Sequence, residues 1–197
     1  MTLENLTRKK EIILSSELSF ANEIGAVLFE KPKVSYWMIF IPILFLYFIF
    51  RMQKFKNDRI KFSEEFMSAR REAMDKALDA LNDSAVDSQA EMNGINRYEK
   101  FPEPLREPYV LWIKTLSSHY LNLLAADGDD FESLIRTAYR NRNSYLLSLE
   151  RLNNAEKDFY AALEPLMGKV EGTAAIIAKI KSESRRLRTE TAGHIFN

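Results

Sequence analysis

Apolar side chains recur every three or four residues along most of the chain, and nowhere do they alternate for long as a strand requires. That spacing predicts helices. Residues 3–30 read as an amphipathic helix, with Leu6, Ile13, Phe20 and Val27 repeating every seven and Leu3 and Ile24 on the same side. Residues 52–86 read as a long helix whose apolar line shrinks from Phe55, Phe62 and Phe66 to Ala69, Ala73, Ala77 and Ala80, so that a neighbour can approach closely. Residues 109–126 show a buried face of Tyr109, Ile113, Leu116, Tyr120 and Leu123. The strongest periodicity lies in 130–164. There Phe131, Ile135, Ala138, Arg142, Tyr145, Leu149, Leu152, Glu156, Phe159 and Leu163 step by fours and threes without a slip. A last helix, 169–190, carries Ile176, Ile180 and Leu187, and residues 191–197 read as a loose tail.

The pattern is interrupted twice. Val34 to Phe50 is an uncharged, mostly apolar run with Tyr36 and Trp37 near one end and Pro42 inside it. Seventeen helical residues cover roughly 25 Å, near the lower limit for crossing a hydrocarbon core of about 30 Å. Lys31 and Lys33 precede the run, and Arg51, Lys54 and Lys56 follow it, positions from which cations reach headgroups. The run therefore predicts a single transmembrane helix, kinked at Pro42. The denser basic exit places the C-terminal region in the cytoplasm and the protein in the plasma or inner membrane. The second break is 87–108, where Gly94 and the segment Phe101 to Pro108 predict a loop with a polyproline-like piece.

The predicted fold is all-α: an amphipathic tail over 1–33, a transmembrane helix over 34–50, and an up-and-down, coiled-coil-like antiparallel bundle over 51–190.

Composition narrows the chemistry. The 197 residues hold 28 basic and 28 acidic side chains and no cysteine. No net field attracts nucleic acid, and disulfides, thiol catalysis and cysteine-ligated metals are excluded. The two histidines, His119 and His194, have no partner at metal-ligand spacing. His119 sits on an aromatic-rich helix and reads as a packed or partly exposed residue. Asp127, Asp129, Asp130 and Glu132 crowd together without the spacing of a calcium loop, and helix capping accounts for them better. Gly128 suits a left-handed helix end. No motif calls for a cofactor, metal or small-molecule substrate, and the chain reads as not an enzyme.

Two features suggest contacts with other molecules. Arg142 and Glu156 are the polar members of the heptad seam and could pair within a self-associating coil. Lys179, Lys181, Arg185, Arg186 and Arg188 flank the apolar line of the last helix, where they could meet an acidic partner or anionic lipid. The layout of short tail, one apolar run and helical bundle, with the phrase Ala138-Tyr139-Arg140-Asn141-Arg142-Asn143-Ser144-Tyr145, resembles LemA-type bacterial membrane proteins in outline. That family's motif after the span is not evident at residues 51–75, so no residue is carried over. The expectation is a single-pass, membrane-anchored helical interaction or scaffold protein, with a membrane, a protein partner or a second copy as its contacts. A membrane-surface binding or remodelling protein is the alternative.

Overall fold

The computed structural model describes residues 3–28, 42–81, 101–167 and 173–196. Six helices make up these residues: α1 (Leu3–Leu28), α2 (Pro42–Leu81), α3 (Glu103–Ala125), α4 (Phe131–Tyr139), α5 (Arg142–Leu163) and α6 (Thr173–Ile195). A short 3-10 turn, Glu164–Met167, closes α5 where Glu164-Pro165 was expected to end it. α2 packs on α1 and α3, α3 on α5, α5 on α6, and α6 returns to α1.

The expected transmembrane helix is corrected. Residues 34–41, with Lys31, Lys33, Tyr36 and Trp37, lie outside the described residues. The helix that carries the described rest of the run is α2, from Pro42 onward. From Pro42 to Phe50 there are nine apolar residues, a rise of about 14 Å. Arg51, Lys54, Lys56, Asp58 and Arg59 then follow in the same helix. Among the described residues no helix is long and apolar enough to cross a membrane. The single-pass anchor, the membrane as a partner, the membrane localisation and the cytoplasmic orientation derived from it all lose their basis.

The N-terminal helix packs inward. Ile13, Ala21 and Ile24 of α1 are fully buried, and Leu6 nearly so. Lys9 is also buried, and its Nζ donates to the carbonyls of Leu124 (3.1 Å) and Ala126 (2.5 Å). A cation there satisfies carbonyls that the end of α3 leaves open and complements the helix dipole. On α2, Ala69, Ala73 and Ala77 of the predicted small stripe are buried with Met74, while Ala80 is exposed.

Three boundaries differ from the sequence reading. α3 starts at Glu103, so the expected extended piece is helical. Pro104 falls in the first turn, where no N–H is needed, and Pro108 lies one turn inside. The seam of 130–164 is two helices. Arg140 adopts φ 61°, and Asn141 caps α5 by accepting a hydrogen bond from the Ser144 N–H at 2.9 Å. α6 continues to Ile195, with Ala192 and Ile195 buried where a loose tail was expected. Its buried stripe uses Ile177, Ile180 and Leu187, while Ile176 faces out.

The acidic turn before α4 caps a helix. Ser133 N–H donates to Asp130 Oδ1 at 2.8 Å, and Ser133 Oγ accepts from Asp130 N–H at 3.2 Å. Hydrogen bonds from Ser133 to the Asp130 carboxyl, the one from its backbone N–H foremost, lower the carboxyl pKa. Gly128 is required for close approach and not for a left-handed φ. A Cβ there would sit 2.6 Å from Ser133 Oγ and 2.8 Å from the Leu134 nitrogen.

Candidate functional site

A cleft of about 370 Å³ opens where α1, α5 and α6 converge above α3. Phe20 of α1, Leu149 and Leu152 of α5 and Leu187 of α6 form its apolar walls. The heptad spacing explains these walls. Residues that step by threes and fours share one helix face, and that face meets the other helices.

Beneath and beside the cleft lies a buried ion network from four helices. Arg70 of α2, fully buried, donates from Nε to Glu17 Oε2 of α1 at 2.7 Å. Its Nη2 lies 3.6 Å from Glu156 Oε1 of α5. Arg188 of α6 grips Glu156 with both arms, at 2.6 and 2.8 Å, and also donates to Asn153. The Arg70 guanidinium lies 3.4 Å from the Phe66 ring centroid, and Phe20 has Arg70 and Arg188 at 5.9 and 5.2 Å. Two cations and two carboxylates thus balance, with Arg70, Glu156 and Arg188 buried. Burial alone would raise the Glu156 carboxyl, but the Arg188 charge and hydrogen bonds, aided by Arg70, hold it below the ordinary value. The same pairing outweighs burial at Arg188 and raises its pKa. The Tyr120 hydroxyl sits beside Glu17, and Trp112 Nε1 beside Glu156, without hydrogen bonds of good geometry.

The cleft floor contains His119 and Tyr145, 7% and 3% exposed as whole residues. His119 Nδ1 meets the Tyr139 hydroxyl at 2.5 Å, and the two rings stack at 5.7 Å. Ser148 and Asn122 donate to the Tyr139 oxygen, leaving its own O–H for His119 Nδ1. This hydrogen-bond network assigns the proton of the neutral imidazole to Nε2. Burial, with a smaller push from Arg188 against the pull of Glu17, lowers the His119 pKa to about 4. At neutral pH the ring is an uncharged donor. Neither His119 Nε2 nor the Tyr145 hydroxyl has a hydrogen-bond partner among the described residues.

The rim is acidic. Glu132 faces Arg136 at 3.6 Å and His194 at 3.4 Å, and Glu190 holds Arg186 at 2.8 Å. Glu23 lines the same cleft with no ion pair among the described residues. No group of three or more His, Asp or Glu residues among the described ones could hold a metal ion.

The residues expected to make external contacts are dispersed. Glu156 and Arg188 bind each other inside the bundle, so Glu156 is not available to pair with Arg142 of a second copy. Arg142 is exposed. Arg186 is engaged by Glu183 and Glu190, Lys181 lies 5.9 Å from the Tyr160 ring, Lys179 is half-buried and Arg185 is exposed. These five basic residues do not form one surface. Arg51, Lys54 and Lys56 lie in the charged stretch of α2 after Phe50.

Sequence reasoning read His119 as packed or partly exposed and did not find the cleft, assign Glu17 and Tyr145 to it, or place Arg70 in the network beside it. The only local signal was charge at core positions: Glu17 and Arg70 both occur among the apolar positions of their helices.

No family model, curated protein or solved structure matches this chain. The outline resemblance to LemA-type proteins therefore has no match behind it, and its expected span is among the corrections above.

Proposed function

We propose that this protein is a non-catalytic helical binding protein that takes its ligand in the cleft between α1, α5 and α6. The observation that supports this reading is the floor: His119 and Tyr145, each more than nine-tenths buried, line the cavity, and His119 Nε2 and the Tyr145 hydroxyl have no hydrogen-bond partner among the described residues. Buried polar groups are ordinarily satisfied, so a donor left open toward a cavity marks a place for a bound acceptor. The volume falls toward the small end of ligand pockets, which span roughly 300–1,000 Å³.

A binding role fits the electrostatics better than acid–base catalysis. A general base works best with a pKa near the operating pH. The His119 pKa is about 4, and its Nδ1 is already engaged by Tyr139. The charged groups beside it neutralise one another. Such a fixed polar frame orients a ligand without reorganising.

Thr191 lines the cleft on α6, half-buried, and offers a place to occlude it. In a thermal-shift screen of the full chain against a fragment library, hits are expected to raise the Tm of the wild type and not of Thr191→Trp. Hits that stabilise both proteins equally, or an absence of hits at millimolar concentration, would overturn the reading.

A further inference from the structure

The two ends of the cleft ask for different chemistry. At the floor His119 presents Nε2–H and Tyr145 presents O–H, both uncharged donors at neutral pH. The chain Ser148 to Tyr139 to His119 assigns the His119 proton to Nε2. Burial also raises the Tyr145 pKa, so its proton stays in place. This floor accepts a carbonyl or ether oxygen. It does not favour a carboxylate, because Glu17 lines the same cleft and the only arginine there, Arg188, is committed to Glu156.

The rim asks for a cation. Four carboxylates line the cleft, Glu17, Glu23, Glu132 and Glu190, against the single guanidinium of Arg188. Three of the four have cationic neighbours, and Glu23 has none among the described residues. Glu17 and Glu23 lie six residues apart on α1, so the carboxylate beside the floor and the one at the mouth are separated by about 9 Å along the helix. Between them Phe20 lines the cleft. Carboxylates beside an apolar wall suit an ammonium group with an apolar stem.

We propose that the cleft binds a small organic amine whose far end is an uncharged hydrogen-bond acceptor. The acceptor meets His119 and Tyr145 at the floor, an apolar spacer of five or six carbons lies along Phe20 and Leu152, and the ammonium pairs with Glu23. This assignment rests on the reading of the cleft as the binding site and adds the ligand class to it. Non-covalent binding alone is involved.

The test uses the full chain and three probes of matched length. 6-Aminohexanamide carries both groups, hexylamine only the cation, and hexanamide only the acceptor. Binding is followed by titration calorimetry and by the His119 Nε2–H resonance. 6-Aminohexanamide is expected to bind at least tenfold tighter than either control and to shift that resonance. Glu23→Gln is expected to reduce its affinity to that of hexanamide. Tyr145→Phe, which retains the ring packing, is expected to weaken both amides and leave hexylamine unchanged.

Hexanamide binding as tightly as 6-aminohexanamide would overturn the role of the amine. Equal binding by hexylamine would overturn the role of the acceptor. No response to any probe would overturn the ligand class. If fragments that Thr191→Trp excludes still bind in that last case, the cleft remains the binding site and only its assigned chemistry fails.

Discussion

His119 joins the packing of the bundle to its pH dependence. Its pKa of about 4 lies below the 6.5 of an unfolded histidine, so protons bind the unfolded chain preferentially between those values. The sign follows: stability is full above pH 6.5 and falls as pH drops toward 4. By pH 5 the loss amounts to about 2 kcal/mol. The charged groups facing the ring are Glu17, which opposes the shift, and Arg188, which adds to it. Glu156, whose pKa is lowered, contributes its loss only at more acid pH. Urea unfolding at pH 7 and pH 5 should show this difference in the wild type and most of it abolished in His119→Gln; equal slopes in both proteins would show that another group titrates. The Glu156–Arg188 pair gives a second prediction. Arg188→Met leaves the buried Glu156 carboxylate with only the Arg70 contact at 3.6 Å and should cost about 3–5 kcal/mol. The double variant Glu156→Met, Arg188→Met should cost clearly less than the sum of the single changes, measured by a double-mutant cycle. Both residues were conspicuous in the sequence as charges near an apolar seam. Their pairing was not legible, because they lie on separate helices and only packing brings α5 against α6.

At the scale of elements, the seam from Phe131 to Leu163 shows where periodicity misleads. Its fours and threes continue unbroken across Arg140, yet the backbone turns there and starts a new helix. The sequence carried a signal for the turn. Asn141 stands three residues before Ser144, just as Asp130 stands three before Ser133, and both Asn141 and Asp130 prove to be N-caps. Periodicity reports which residues face inward and is blind to a change of direction between them. Arg140 holds a positive φ that an L side chain adopts reluctantly, so Arg140→Gly should raise stability by about 0.5–1 kcal/mol. Chemical denaturation checks this, and a loss of stability would mean that the arginine side chain matters more than its backbone. The first two proline turns of α3 teach a related lesson. Pro102 and Pro104 read as breakers, but at a helix start they act as initiators.

For the whole molecule, the first and last helices complete the core. α1 contributes Ile13 and Ile24, and the last turn of α6 contributes Ala192 and Ile195, whose carbonyl accepts from Arg136 Nε at 2.8 Å. A chain ending after Glu190 should therefore unfold at lower temperature and with a broader transition than the full chain. Calorimetry that found the two alike would contradict the packing described for that turn. The sequence by itself determined that the chain is helical, which faces of α2, α3 and α5 are apolar, and that His119 lies among aromatic residues. Local spacing and composition are sufficient for those statements. Only the tertiary structure decided that α1 belongs to the bundle, that the described part of the apolar run leads at once into a charged helix, and that Glu17, Arg70, Glu156 and Arg188 form one network. Those outcomes depend on distances between residues far apart in sequence, where charges neutralise one another and a cavity remains between helices that each read as ordinary.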